Sequence, residues 1–195
     1  MTLSDEPSDQ DLTARAVEGD QAAFAALMQR HKNWLYRFVR RYVGEAEEAY
    51  DVVQESFASA WIALSRYDSA RPFAAWLRRI ALNKCRDRAR KAAVRRVLFG
   101  FAATPENRPE VADPAPGADQ AAASRRALER LEAAIAALPR ALKEPLVLTA
   151  LEGLSHKEAG DLLGLNAKAV ETRVYRARKQ LALALEREDL DDISS

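Results

Sequence analysis

Four of the eight prolines fall within one twelve-residue segment, PENRPEVADPAP at 105–116, which has no apolar periodicity. Each proline fixes φ and removes a backbone donor. A segment built this way does not run through a compact core, so it predicts a flexible linker, 99–123, between two small domains at 9–98 and 124–186. The aromatic residues divide the same way. Thirteen of fourteen lie at or before Phe101, and only Tyr175 lies beyond it. Neither half shows the alternation of a strand, and both show helical spacing, so the expected fold is all-α.

In the first half, Phe24, Leu27, Met28, His31, Leu35, Phe38, Val39 and Tyr42 share one face of a long helix, ended by Gly44. Val53, Phe57, Ala60, Trp61 and Leu64 make the stripe of a second. After the loop RYDSARP, Pro72 suits the first turn of a third, which carries Phe73, Trp76, Leu77 and Ile80 inward. The second half predicts helices near 124–136, 139–152, 155–163 and 167–186, with a kink at Pro145. The last pair reads as a helix-turn-helix. Ser155 and Glu158 form a capping box, Gly164 supplies the turn and Asn166 caps the second helix. Gly160, inside the first of them, suggests that the two helices cross closely there.

The charges nearly cancel, 30 Lys and Arg against 29 Asp and Glu, yet they are segregated. WLRRIALNKCRDRARKAAVRR, residues 76–96, holds nine Lys and Arg and one acid, Asp87. Its partner could be nucleic acid, an anionic membrane or only water. The membrane reading weakens because Trp76, Leu77 and Ile80 are in phase with a protein core. In the last helix Val170, Val174, Ala177 and Leu181 cluster opposite Lys168, Thr172, Tyr175, Arg176 and Lys179. That outward face carries groups suited to phosphates and base edges, or it is the solvated side of a helical hairpin. On the second helix Asp51, Gln54 and Glu55, flanked by Glu47 and Glu48, form an acidic face that would repel DNA. It fits either a basic protein partner or a solubilising surface.

Two carboxylates on that face could suggest acid/base catalysis, but nothing near them supplies a metal, a nucleophile or a pocket. The two His and the single Cys are scattered. Cys85, between Lys84 and Arg86, reads as a buried thiol, with a redox sensor as the alternative. His31 is expected to be packed and His156 solvated. The acidic, polar start MTLSDEPSDQD has no leader-like pattern, and no run approaches the roughly 18 apolar residues of a membrane span. A soluble cytoplasmic protein is expected, with unstructured tails near 1–8 and 187–195.

DVVQESF, then FAAWLRRIALNKCRD, then the proline-rich segment, then LPRALKEPLVLTALEGLSHKEAGDLLGL and VETRVYRARKQL together resemble the extracytoplasmic-function (ECF) sigma factors of the sigma-70 superfamily. The resemblance covers about 9–98 and 124–185. It implies a transcription-initiation subunit rather than an enzyme, monomeric when free, with no cofactor, metal or small-molecule substrate. It also implies that bacterial core RNA polymerase (β′ and β) and promoter DNA are partners, with the linker in the RNA-exit path. By the same resemblance, Asp51, Gln54 and Glu55 contact the β′ coiled coil. Tyr67, Asp68 and Asn83 belong to the part that captures an unpaired minus-10 base, and Arg78, Arg79, Lys84, Arg86 and Arg88 hold the strand around it. Lys168, Thr172, Arg173, Tyr175, Arg176 and Lys179 face the minus-35 element. An anti-sigma factor and a stress stimulus are implied as well. The sequence departs from the family pattern at Lys168, Ala169 and Glu171 and at TAL, 149–151; the carboxylate of Glu171 would repel phosphate or accept from a cytosine amino group.

Overall fold

In the computed structural model the backbone is described for residues 6–99 and 118–193, and the side chains for 6–94 and 124–186. Helices account for the regular structure, and no strand occurs among the described residues. The chain divides into two compact units, Met1–Ala89 and Arg90–Ser195. The proline-rich segment 105–116 lies outside the described residues. No helix among those described is long and apolar enough to cross a membrane.

The first unit opens with a helix that the periodicity did not announce, α1, Asp9–Val17. Ser8 caps it, accepting from Asp11 N while the Asp11 carboxylate accepts from Ser8 N. Nine residues are too few to hold a helix by propensity. It persists by burying Leu12 and Ala16 and by tying Asp9 to α2, Gln21–Val43. Arg30 Nη1 lies 2.6 Å from one Asp9 oxygen and His31 Nε2 lies 2.7 Å from the other. Burial pushes the Asp9 carboxyl up, and the bonds and charges of Arg30 and His31 outweigh it, so it sits below its ordinary value.

Asp20 caps α2, and Gly44 ends it in the left-handed region at φ 87°. Phe24, Leu27, Leu35, Phe38, Val39 and Tyr42 are buried as expected, whereas Met28 lies on the rim and His31 packs between the rings of Trp34 and Phe73. α3, Ala46–Ala63, buries Val53, Phe57 and Ala60 and continues through a 3₁₀ turn, Leu64–Arg66. Trp61 stays partly exposed, its ring 4.9 Å from that of Phe24. The Pro72 carbonyl accepts the first bonds of α4, Phe73–Phe99. Phe73, Leu77, Ala81, Leu82 and Cys85 face inward, and Trp76 and Ile80 are half-buried. Each fully buried large apolar side chain contributes about 1.5–3 kcal/mol over leaving it exposed. Leu27, Leu35, Phe38 and Leu77 are all of that kind. Burial also leaves the Cys85 thiol inaccessible, which disfavours the sensor alternative.

The second unit contains α5, Ala118–Ala137, and α6, Arg140–Leu146, followed by a wide turn of π-type, Val147–Leu151. Pro145 does not stop the chain. Lacking an N–H, it leaves the ladder one bond short, the helix widens just beyond it, and Thr149 Oγ1 donates to the Pro145 carbonyl at 2.8 Å. α7, His156–Leu163, and α8, Ala167–Ile193, form the helix-turn-helix. The Ser155–Glu158 box, left-handed Gly164 at φ 70° and the Asn166 cap on Ala169 N are all present. Val170, Val174, Ala177 and Leu181 are buried with Ile135, Leu138, Leu146 and Leu148. Gly160 is needed for a different contact from the helix crossing suggested by the sequence. A β-carbon there would lie 2.5 Å from the Leu165 carbonyl oxygen, in the turn itself. The outer helices also overrun their expected bounds: α5 begins at Ala118 and α8 runs to Ile193, where a tail was expected from 187.

Candidate functional site

Three surfaces carry the candidate residues. On α3, Asp51, Gln54 and Glu55 are exposed one turn apart, with side chains of Asp51 and Glu55 63% and 47% accessible. The same outer face carries Tyr50, anchored by its ring 4.6 Å from that of Tyr36, and Ile62, 80% exposed. Wide apolar exposure among acids is more informative than acids alone, because carboxylates suffice for solubility and an isoleucine in water does not add to it. Sequence reasoning passed over Tyr50 and Ile62, although the wheel that grouped the acids also places them outside.

Arg88 is the residue whose placement departs most from its expected grouping. It reaches from α4 to α3, with Nη2 2.8 Å from Glu55 Oε1 and 3.3 Å from Asp51 Oδ2. The bond to Glu55, then the charges of both acids against some burial, raises its pKa above the usual arginine value. The structure thus places this guanidinium against the acidic face of α3.

The loop after α3 is held by its own short-range bonds. Ala70 N donates to Asp68 Oδ1 at 3.0 Å, Arg71 pairs with Asp68 at 3.5 Å, and the Tyr67 hydroxyl donates to the Arg71 carbonyl. Burial, with the charges of Asp9 and Asp68, pushes the Tyr67 phenol above its ordinary range, against a hydrogen bond shared with Thr13. Beside this loop opens a pocket of about 400 Å³ whose walls include Tyr67, Arg71 and Phe73 and, from α1, Asp9 and Gln10. Asp9 and Gln10 were not anticipated; the Ser8-x-x-Asp11 capping pattern was the available signal that a helix stood there.

Along α4, Arg79 and Asn83 are exposed, and Asn83 Oδ1 accepts from Arg86 Nη1 at 3.3 Å. At about 100° per residue these three lie opposite Leu77. Arg78 and Lys84 lie on the flanks and are half-buried. The Arg78 guanidinium stacks 4.7 Å above the Trp34 ring, so part of its role is in packing. On α8, Lys168, Thr172, Tyr175, Arg176 and Lys179 are exposed opposite the buried stripe, Tyr175 to 69%, and Arg173 is half-buried. Glu171 accepts from Lys168 at 2.9 Å, which holds its carboxyl below the usual value, and the Thr172 hydroxyl donates to the Lys168 carbonyl. The unusual carboxylate is thus partly neutralised within its own helix. The described residues contain no cluster of three or more His, Cys, Asp or Glu placed to hold a metal.

Residues 27–95 match the family Sigma-70 region 2, and residues 128–181 match Sigma-70, region 4. The RNA polymerase sigma factor CnrH of Cupriavidus metallidurans is 40% identical over 190 residues, covering 94% of this chain and 97% of that protein. The ECF RNA polymerase sigma factor SigW of Bacillus subtilis is 33% identical over 168 residues, covering 84% and 89%. Among solved structures, CnrH in complex with the cytosolic domain of CnrY aligns with a TM-score of 0.66 at 36% identity, over 93% of this chain and 99% of that one. The sigma factor RpoE of Bartonella quintana, solved with the anti-sigma factor NepR, aligns with a TM-score of 0.65 over 84% and 96%. At 21% identity that likeness shows the fold.

Proposed function

The chain belongs to the ECF sigma factors of the sigma-70 family, and from that premise we propose how its surfaces divide the work of initiation. It is a transcription-initiation factor that directs RNA polymerase to promoters. The acidic face of α3, with Asp51, Gln54 and Glu55, docks on a basic surface of core polymerase, where charge complementarity sets encounter rate and orientation. The observation that carries this division is the segregation of charge: exposed acids on α3, exposed cations with Asn83 on α4, and exposed cations with Thr172 on α8.

Promoter opening needs a surface that prefers the unpaired strand. Extruding a base costs a few kcal/mol of stacking and pairing, so a pocket that accepts only the extruded base lowers that cost at the right sequence. The pocket beside Tyr67 and Asp68 supports this role, with Asn83, which both donates and accepts, on the adjoining helix. Arg78, Arg79, Lys84 and Arg86 track the strand's phosphates. Lys168, Thr172, Arg173, Tyr175, Arg176 and Lys179 form the minus-35 surface, where the first turns of α8 present groups to the major groove. Lys168 must exchange its Glu171 partner for DNA.

The partners are core RNA polymerase, promoter DNA and an anti-sigma factor. The complex of CnrH with the cytosolic domain of CnrY supports a protein partner for a chain of this kind, and we assign that place to the anti-sigma factor. The free protein is a cytoplasmic monomer, without catalysis of its own, and it serves a stress response. Permanganate footprinting of the reconstituted holoenzyme on the promoter upstream of its own coding region tests the opening step. Minus-10 thymines become reactive with the wild type and lose reactivity with Asn83→Ala; equal reactivity in both would remove Asn83 from the reading.

A further inference from the structure

Arg88 stands on a helix of DNA-facing cations, yet its guanidinium is spent on two acids of α3. It takes Glu55 through Oε1 and Asp51 through Oδ2, the latter from both Nη1 and Nη2 at 3.3 Å. Asp51 Oδ1 and Glu55 Oε2 are the oxygens that Arg88 does not hold. The arginine side chain is 25% exposed, so it is more covered than the carboxylates that it holds.

We infer that Arg88 is a positioning residue for polymerase docking: it clamps Asp51 and Glu55 by one oxygen each and leaves the other of each for the partner's cations. The inference rests on the docking role given above to these acids. Two carboxylates at i and i+4 repel each other and favour rotamers that splay apart. A planar guanidinium opposes that repulsion and fixes both side chains together, which a compact ammonium does less well. Acids already ordered lose less freedom when the interface forms. Arg88 reduces the net negative charge of the face, but Glu47 lies beside the pair and the two acids still outnumber the one cation. Orientation therefore gains more than raw attraction loses.

The test is a titration of fluorescently labelled full-length protein with core RNA polymerase, for the wild type, Arg88→Ala, Arg88→Lys, the double variant Asp51→Asn with Glu55→Gln, and that double variant combined with Arg88→Ala. Thermal melting verifies that each variant is folded. Arg88→Ala is expected to weaken core binding about five-fold, equivalent to roughly 1 kcal/mol at 1.4 kcal/mol per ten-fold. Arg88→Lys recovers part of the loss, and Arg88→Ala costs nothing further once the acids are neutral. Core affinity unchanged or tighter in Arg88→Ala, while the acid variant binds weakly, overturns the positioning role and leaves docking intact. An equal loss in the neutralised background shows that Arg88 acts elsewhere and overturns it too. If the acid variant itself binds core as tightly as wild type, the docking reading falls first and takes this inference with it.

Discussion

Gly160→Ala is the change for which two physical effects predict opposite outcomes. Inside an exposed helix the substitution gains about 1 kcal/mol of propensity. Here the new β-carbon would sit 2.5 Å from the Leu165 carbonyl oxygen, and ordinary contact begins near 3.4 Å, so about 0.9 Å of movement is required. The obstacle is backbone, and no side-chain rotation relieves it. The same turn is pinned by Leu165 N donating to the Gly160 carbonyl at 2.9 Å, so moving it strains or loses that bond. Overpacking costs about 1–3 kcal/mol and a lost hydrogen bond about 0.5–1.5 kcal/mol. Set against the propensity gain, the net is a destabilisation of about 2 kcal/mol in the second unit. For a unit of this size that lowers its melting temperature by about 8–16 °C. Far-UV circular dichroism follows the loss of helix, while hydrogen exchange resolves α7. Trp34, Trp61 and Trp76 all lie in the first unit, so tryptophan fluorescence should not report the change. Gly153→Ala is the control: at φ +70° with nothing within 4 Å of a new β-carbon, it meets only the left-handed strain of about 1–2 kcal/mol. If Gly160→Ala melted at or above the wild-type temperature, propensity would have won and the close approach of the turn would be wrong.

Ser155→Ala removes the α7 capping box and should cost about 1 kcal/mol, read as a lower melting temperature of the second unit, with minus-35 duplex affinity unchanged while the unit stays folded. Asp9 titrates below its unfolded value of 3.8, so its contribution to stability is present above that pH and is lost as pH falls through the lower, folded value. Melting the wild type and Asp9→Asn at pH 6 and pH 3 should show a smaller acid-induced loss in the variant; parallel losses would contradict the α1 anchor. Arg78→Ala should lower the first unit's stability by about 0.5–1 kcal/mol through the lost contact with Trp34, and change the tryptophan emission. Arg79→Ala, on an exposed side chain, should leave stability alone while both variants weaken binding of a minus-10 single strand.

Much of the fold could be read from the sequence because its rules are local. Gly44, Gly164, Asn166 and the Ser155–Glu158 box each act within four residues, and Val170, Val174, Ala177 and Leu181 declare a buried stripe by spacing alone. α1 escaped because its stability comes from Asp9 meeting Arg30 and His31, more than twenty residues away. At Pro145 the sequence announced a break in the ladder but not its form, a π-type turn just beyond it in which the Thr149 hydroxyl donates to the Pro145 carbonyl. The candidate surfaces were legible as faces, not as pairings. Spacing put Asp51 and Glu55 together, but no pattern within one helix could place Arg88 against them, 33 to 37 residues on. Nor could it show that Asp9 and Gln10 wall the pocket beside Tyr67.

Run-off transcription with purified core RNA polymerase on the promoter upstream of the protein's own coding region tests the central claim most directly. Transcripts should require this chain, fall sharply with Asp51→Lys and Glu55→Lys together, and fall with Asn83→Ala while binding to core persists. No transcript from the wild type, together with no complex with core on native gel filtration, would contradict the account.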